Sequence, residues 1–257
     1  MDDSGGNLSL HLLDCGYLEG TNVPFVTADG EVEQVSERWA NRSYLIEHSA
    51  GLLLWDTGIV DTLVDSPDGK VFGLWRLVVE QTLLSRLAKL GVGPSDITYL
   101  GFSHMHADHT GNAQDYASAT VLVHAREHAV AFADTPPNGY VPAHYEALRD
   151  SRTIQIAGSH DVFGDGSVVT LESPGHSSGH QCLVVRLPNR GPVVLSGDLY
   201  YGPDDRLRRR APGWNVDVAE TFRSMDRVEQ YVAEIGATML IHHDMDAALD
   251  PVNLAAV

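Results

Sequence analysis

A cluster of histidine and aspartate at residues 104–109, with the sequence HMHADH, constrains the fold of this chain more than any other feature. Imidazole and carboxylate groups suit zinc and similar ions, and several of them must converge to hold a metal. His104 and His106, two residues apart, point the same way if the segment leaving the preceding strand is extended. Asp108 and His109 can then turn toward a second metal close by. A polar surface loop is the ordinary alternative, and residues further along the chain argue against it.

Three more residues of the same kinds follow short apolar runs downstream. They are His176, Asp198 and His243, which follow the apolar residues 168–171, 193–195 and 239–241. Strands of about four to six residues that end in a polar side chain are how a buried sheet delivers ligands to one edge. The pattern therefore predicts that these residues meet the HMHADH cluster at the edge of a sheet.

The order of these motifs resembles that of the metallo-β-lactamase superfamily through nearly the whole chain. H-x-H-x-D-H is followed by G-H, by G-D and by a late histidine, and the pattern looks most like the N-acyl-homoserine lactonase group. The resemblance implies an α+β fold, the αββα sandwich of the metallo-β-lactamase type, with two mixed β-sheets face to face and helices outside. No linker or repeat divides the chain, so we expect one hydrolase domain of this type over residues 1–257.

The resemblance also implies two divalent metal ions, zinc first, with cobalt, manganese and iron as alternatives. The residues that it assigns are His104, His106 and His176 for one ion, Asp108, His109 and His243 for the other, and Asp198 as the bridge. An aspartate at the bridging position favours the lactonase and glyoxalase II branches over those specialised on β-lactams.

By the same resemblance, a hydroxide that bridges the two ions attacks the substrate carbonyl. Two ions can lower the pKa of a shared water from ~15.7 to about 7 and polarise the carbonyl. Asp108 is expected to shuttle the proton, and Tyr201 to aim its hydroxyl at the carbonyl or leaving oxygen. Asp56, in the turn WDTG, is expected to orient a ligating histidine, a role compatible with capping that turn.

Ala107 stands where lactonases of this group often carry a bulky aromatic residue, so the pocket is expected to admit bulkier substrates. We place Ala107 and Met105 in the substrate pocket. The aromatic residues available as further walls or as core are Phe25, Trp39, Trp75, Tyr140 and Trp214.

The leading functional hypothesis is the opening of lactone rings, with N-acyl-homoserine lactones as substrates and quorum quenching as the role. A glyoxalase II-like thioesterase, or another hydrolase of esters or aryl esters, is the alternative. Glutathione thioesters carry carboxylates and would need a basic patch, for which the arginines of residues 206–210 are the available choice. A mononuclear-iron sulfur dioxygenase needs one metal only, so the complete second ligand set argues against it.

The formal net charge of −18 over 257 residues argues against nucleic acid and anionic membranes as partners. Cys15 and Cys182 do not indicate a disulfide framework, and no stretch approaches the ~20 apolar residues of a membrane span. Residues 1–7 lack signal-peptide features, which favours a cytoplasmic protein, or an exported one whose leader is not in this chain. We expect a small lactone or ester as the partner, and the sequence leaves open whether the chain forms a homodimer.

Hydrophobic periodicity predicts the positions of the main elements. Helices are predicted over 74–90, 125–132 and 218–235, and strands over 8–13, 43–47, 52–55, 97–102, 120–123, 153–156, 168–171, 182–187, 193–195 and 238–241. Residues 134–142, which contain three prolines, are predicted to form a loop beside the active site.

Overall fold

Two β-sheets lie face to face in the computed structural model, which describes residues 8–247. Within that range the first sheet consists of β1 (Ser9–Thr27), β2 (Val32–His48), β3 (Gly51–Trp55), β4 (Lys70–Phe72), β5 (Trp75–Val78), β6 (Ile97–Gly101), β7 (Thr120–His124), β8 (Thr153–Ile156) and β13 (Arg210–Pro212). The second consists of β9 (His160–Asp161), β10 (Val168–Glu172), β11 (Gln181–Leu187), β12 (Gly191–Leu195) and β14 (Thr238–Leu240). The α-helices of the same range are α1 (Leu83–Lys89), α2 (Ala107–Thr110), α3 (Ala125–Ala131), α4 (Pro203–Arg208) and α5 (Val218–Ile235). The predicted domain limits, and the residues 1–7 that lack signal-peptide features, lie outside the described residues.

Both sheets are mixed, as predicted. The first has the order β4-β5-β1-β2-β3-β6-β7-β8, with β13 paired to β1. Its strands β3, β6, β7 and β8 run parallel, and its other pairs are antiparallel. The second has the order β14-β12-β11-β10-β9, in which β12 and β14 are the parallel pair. Several strands of each sheet can therefore end at a common edge.

The side chains of β3 show how the layers are built. Leu53 and Trp55 join a core cluster with Leu183 of the second sheet. Leu54, on the opposite face of the strand, joins a different cluster with Leu87 of α1. This is the alternation that a strand imposes when both of its faces are buried. A third cluster joins α5 to the outer face of the second sheet, so the predicted αββα sandwich is confirmed.

The prediction of one helix over residues 74–90 is wrong. β5 pairs with β1, with Leu77 opposite Leu18, and only α1 is helical. The helix begins after Thr82, whose side chain accepts a hydrogen bond from the Ser85 N–H at 3.1 Å. The apolar residues before position 80 belong to a strand rich in tryptophan and valine, and their spacing also fits a helix. Pairing with the long neighbouring strand decides between the two.

The first two strands are much longer than predicted. β1 and β2 form one antiparallel ladder from the pair Ser9 and Glu47 to the pair Val26 and Val32, with two irregularities. The remaining predicted strands and helices agree with the structure to within two residues at each end. The extra length of β2 carries residues 40 and 41 to the edge at which the candidate site lies.

The longest helix is α5, which was predicted with the bounds that the structure shows. The Asp217 side chain caps its first turn by accepting from the Glu220 N–H at 2.8 Å. Gly236 ends it with a φ of 64°. Among residues 8–247, no helix has both the length and the apolar character needed to cross a membrane.

Candidate metal centre

The seven residues predicted as metal ligands come together at one edge of the sandwich. The first four follow β6 of the first sheet, and the last three follow strands of the second: His104, His106, Asp108, His109, His176, Asp198 and His243. His106 and Asp108 are half-buried, and the other five are buried. The short helix α2 turns the last two residues of the HMHADH cluster away from the first two.

Three imidazole nitrogens form a compact group, which we call the first group. His104 Nε2 lies 3.0 Å from His106 Nδ1 and 3.1 Å from His176 Nε2. His106 Nδ1 and His176 Nε2 are 3.0 Å apart. These separations suit three ligands that share one small cation with metal–nitrogen distances of about 2.0–2.1 Å.

A second group lies beside the first and includes carboxylate oxygens. Asp198 Oδ1 is 3.0 Å from His109 Nε2 and 3.2 Å from His243 Nε2. Asp108 Oδ2 is 3.6 Å from His109 Nε2 and 3.9 Å from His243 Nε2. The second group is therefore wider than the first and is open on the side of Asp108.

Asp198 lies between the two groups. Its Oδ1 contacts the second group, and its Oδ2 lies 3.4 Å from His176 Nε2 and 4.0 Å from His104 Nε2. One carboxylate thus presents one oxygen to each group. This is the geometry that a bridging ligand requires.

Asp56 lies beneath the second group and fixes the orientation of one of its rings. Asp56 Oδ2 accepts a hydrogen bond from His109 Nδ1 at 3.0 Å. Ser103 donates to the same carboxylate from its backbone N–H and from its hydroxyl, both at 2.8 Å. Asp56 is fully buried with a φ of 59°, an uncommon conformation for a residue other than glycine. These contacts orient the ring so that Nε2 of His109 points into the site.

The other ring nitrogens of two more histidines have acceptors of their own. His176 Nδ1 donates to Asn215 Oδ1 at 2.9 Å, and His243 Nδ1 donates to the Ala40 carbonyl oxygen at 2.6 Å. Each contact orients its ring so that Nε2 faces the centre. Sequence reasoning missed Asn215, because a lone asparagine 39 positions from its partner carries no local signal.

Two further histidines, His180 and His242, lie against the ligand segments. His180 accepts the Asp198 backbone N–H at Nε2, 2.9 Å away, and donates from Nδ1 to the Ser173 carbonyl at 2.9 Å. The His242 ring is stacked on the His109 ring with centroids 4.3 Å apart. His180 directly precedes β11, and His242 lies two residues after the end of β14. Their contacts with the ligand segments therefore depend on how the strands are arranged in the fold.

Burial and charge act in opposite directions at the histidines. Burial lowers the pKa of His104 and His106 well below the usual range. It acts the same way at His109 and His243, but nearby carboxylates, Asp198 first, outweigh it and raise the pKa of both. Burial raises the pKa of Asp198, and the surrounding histidines, led by His243, outweigh this and hold it well below its usual range.

The donor set fits metal ions. His109 Nε2, His243 Nε2 and Asp198 Oδ1 are buried and have no hydrogen-bond partner among the described residues, although Asp198 Oδ1 lies 3.0 Å from the first and 3.2 Å from the second. Buried polar atoms of this kind are costly unless something satisfies them, and a cation at their centre would do so. The residues thus form a His/Asp metal site, with groups suited to zinc and related ions.

A cavity of about 810 Å³ opens above this site. Its apolar walls come mainly from β5, from the segment after β3 and from the loop before residue 142: Leu18, Ile59, Val60, Leu63, Phe72, Trp75, Leu77, Pro137, Tyr140, Val141, Trp214 and Val216. Ala107 lines the cavity. Met105 does not; its side chain is fully buried in the core cluster on the helix side of the first sheet. The alternation of the extended segment turns it away from its histidine neighbours.

Tyr201 lies at the floor of the cavity, with its ring stacked on the His243 ring at 4.5 Å between centroids. Burial raises its pKa well above the usual range, and the carboxylates of Asp198 and Asp108 add to the effect. The phenol therefore remains a donor. Phe25 packs against the Tyr201 ring edge-on, with centroids 5.7 Å apart, and does not line the cavity.

Trp39 packs in the same aromatic cluster, with its ring centroid 6.0 Å from that of Tyr201, and belongs to the hydrophobic core. The neighbouring Tyr200 points elsewhere, and its hydroxyl donates to Glu229 Oε1 at 2.9 Å. Of the five aromatic residues considered as walls, Trp75, Tyr140 and Trp214 line the cavity.

The arginines of residues 206–210 do not form a free basic patch. They lie in α4, just after it and at the start of β13, and each is paired with acidic side chains of the chain itself. Arg206 contacts Glu229 at 2.7 Å, Arg209 contacts Asp226 at 2.7 Å, and Arg210 contacts Asp205. No arginine or lysine is among the described residues that line the cavity.

Comparison with solved structures shows the same fold in hydrolases. An N-acyl homoserine lactone hydrolase with the product N-hexanoyl-L-homoserine at its catalytic metal centre superposes with a TM-score of 0.76, at 23% identity, over 93% of this chain and 94% of that one. AidC, a dizinc quorum-quenching lactonase in complex with a product, superposes with a TM-score of 0.70 at 18% identity, over 96% of this chain and 93% of that one.

Comparison of sequences gives a nearer relationship. The N-acyl homoserine lactonase AttM of Azorhizobium caulinodans is 32% identical over 216 residues, which cover 79% of this chain and 81% of that protein. The model of the metallo-beta-lactamase superfamily matches residues 37–250, a range that includes all seven side chains of the site. The chain therefore belongs to the metallo-beta-lactamase superfamily.

Proposed function

We propose that this protein is a metal-dependent hydrolase that opens the ring of N-acyl homoserine lactones, with two metal ions in its active site. The observation that carries the proposal is the position of Asp198 between two sets of histidine nitrogens, at a site whose residues His106, Asp108 and His176 line an apolar cavity. The lactonase names of the relatives agree with it.

The first group and the second group would each hold one ion, with Asp198 shared between them. The ligands would be His104, His106 and His176 for the first ion, and Asp108, His109 and His243 for the second. The dizinc neighbour and the nitrogen-rich donors favour zinc, with cobalt, manganese and iron as the alternatives. When bound, two such ions supply a water of lowered pKa and polarise a substrate carbonyl.

The chain's own residues would handle the proton and the developing charge. Asp108 lines the cavity and faces the second group, so it is placed to take the proton of the attacking water. It would return that proton to the ring oxygen when the carbon–oxygen bond breaks. Tyr201 would donate from its phenol to the substrate oxygen on which negative charge develops.

The cavity supports an uncharged substrate with an apolar tail. Its walls are mainly aliphatic and aromatic side chains, and its polar lining residues include His106, Asp108 and His176 of the metal site. A lactone ring at the floor would leave the acyl chain against these walls. A glutathione thioester would bring carboxylates that meet no basic side chain among the lining residues described, which argues against the thioesterase alternative.

A comparison of substrates on the metal-loaded protein tests the proposal. We expect kcat/KM for N-hexanoyl and N-decanoyl homoserine lactone to exceed that for a glutathione thioester by at least about 100-fold, because a site without complementary charge leaves the carboxylates unpaired. An aryl ester serves as a general substrate for the same site. Faster cleavage of the thioester than of either lactone would refute the lactonase assignment.

A further inference from the structure

A buried glutamate lies next to the metal centre without belonging to it. Glu127, in α3, is fully buried. Its Oε1 accepts hydrogen bonds from the Met105 N–H at 2.9 Å and from the Tyr140 hydroxyl at 2.7 Å. Its Oε2 accepts from the Ser177 hydroxyl at 2.6 Å and from the Gly179 N–H at 3.0 Å. Four donors on two oxygens is the full complement that a carboxylate accepts.

Two of these donors are the immediate neighbours of metal-site histidines. Met105 stands between His104 and His106, and Ser177 follows His176. One carboxylate oxygen therefore holds the segment that supplies two nitrogens of the first group. The other oxygen holds the segment that supplies the third.

The third segment held by Glu127 is the wall of the substrate cavity. Tyr140 lines the cavity, and its ring lies edge-on to the His106 ring with centroids 4.8 Å apart. The adjacent Gly139 accepts the Ala107 N–H at 2.8 Å, so this wall contacts the HMHADH segment twice. Burial raises the pKa of Tyr140, and the Glu127 carboxylate adds to it, which keeps the phenol a donor.

The loop after His176 also packs against α3 without intervening space. A Cβ atom on Gly179 would lie 2.4 Å from the Glu127 backbone nitrogen, far inside contact distance. Glycine at this position lets the loop come close enough for its N–H to reach the carboxylate.

We propose that Glu127 is a positioning residue: its two oxygens set the spacing of the three nitrogens of the first group and couple that spacing to the Tyr140 wall of the cavity. The coupling to substrate rests on the function proposed above, whereas the effect on metal binding does not. Glu127 acts through the segments that it holds and touches neither metal nor substrate.

The first test is Glu127→Gln, which keeps the shape of the side chain. Glutamine has one acceptor oxygen, so in either orientation its NH₂ group faces a backbone N–H, that of Met105 or that of Gly179. We expect the affinity of the first ion, measured by competition with a chromophoric chelator, to fall by about 10–100-fold, as for other residues that orient ligands. We also expect KM for the lactone to rise.

Two variants separate the two effects and do not depend on the folding of the first. Tyr140→Phe keeps the ring against His106 and removes one hydrogen bond, which is worth about 3-fold to 10-fold. We expect KM to rise by that factor, with kcat and metal affinity within about 2-fold of the parent. Ser177→Ala should have the opposite pattern. It should lower the affinity of the first ion, measured by chelator competition, by a similar factor and leave KM unchanged.

Glu146→Gln is the matched control. Glu146 is an exposed glutamate that follows the Tyr140 wall in the chain, and its side chain pairs with Arg149. It should change none of these quantities. The proposal fails if Glu127→Gln lowers only the melting temperature, or if Tyr140→Phe and Ser177→Ala change metal affinity equally. If the parent protein binds metal but cleaves no lactone, the proposed function fails, and chelator competition together with KM for an aryl ester still decides the role of Glu127.

Discussion

Single residues in this site have separable tasks because they face different parts of it. Asp108 presents its carboxylate both to the second group and to the cavity, and its side chain is 18% exposed. Ala107, its neighbour, lines the same cavity and contributes only a methyl group. Asp108 therefore affects the chemistry, and Ala107 affects how the substrate fits.

Replacing Asp108 by asparagine should remove a ligand oxygen and the proton shuttle together. We expect turnover to fall by about 100-fold to 10,000-fold, the usual range for loss of a general acid–base group. Steady-state kinetics with the metal content measured in parallel checks this. Asp115→Asn, at an exposed carboxylate outside the site, is the control, and a parent-like turnover in Asp108→Asn would exclude the assigned role.

Replacing Ala107 by phenylalanine should narrow the cavity without changing the metal content. We expect the preference among acyl chains or ring sizes to shift by roughly 10–200-fold, the range for a change of a few methylenes in a pocket. Tyr201→Phe should instead depress turnover on every substrate, because it removes a donor to developing charge. A panel of lactones assayed with both variants distinguishes these patterns, and an unchanged panel for Ala107→Phe would show that residue 107 does not face the substrate.

At the scale of elements, the walls of the cavity and the ligands come from different parts of the fold. The ligands follow β6, β10, β12 and β14, whereas one wall is the hairpin of β4 and β5. Phe72 of that hairpin lines the cavity and is 55% exposed, at its outer end. The hairpin is therefore placed to contact the far end of a long acyl chain.

Phe72→Ala should weaken the binding of long acyl chains only. We expect kcat/KM for an N-dodecanoyl lactone to fall by about 10-fold, and that for an N-butanoyl lactone to stay the same, because the short chain does not reach the outer end. Val71→Ala is the matched control, since Val71 lies in the same hairpin and outside the cavity lining. An equal loss for both chain lengths would contradict this placement of the acyl chain.

The elements that could be predicted from the sequence are those marked by residues close together in the chain. The strands before each ligand are short apolar runs followed by a distinctive polar residue, so their ends were found. The strand β5 was mistaken for part of a helix, because a spacing of leucines and valines fits both structures until the partner strand is known. Glu127, Ser103 and Asn215 escaped notice for a related reason, since their partners are set by contacts that only the folded chain makes.

At the scale of the whole molecule, both nitrogen groups take residues from both sheets. His104 and His109 follow a strand of the first sheet, and His176 and His243 follow strands of the second. A metal held by either group therefore ties the two layers together. The opposite pKa shifts of the two groups make the order of metal loss predictable.

Acid should remove the two ions in sequence. His109 and His243 have a raised pKa, so protons compete with metal at the second group from a higher pH; His104 and His106 have a lowered pKa and resist protonation. We expect activity to fall below about pH 6, as the ion held by the second group is lost. The ion held by the first group should leave only in stronger acid. Equilibrium dialysis at a series of pH values followed by elemental analysis measures this. Loss of both ions in one step would contradict the expectation.

The separation of the cavity walls from the ligand-bearing strands has a consequence for the history of such a chain. Mutations in the hairpin of β4 and β5 can accumulate while the reactive centre is inherited unchanged. Descendants that differ in these wall residues would accept different esters, and every one of them would keep the ancestral catalytic centre. Selection would then act on substrate recognition alone, and a change of substrate would require few mutations.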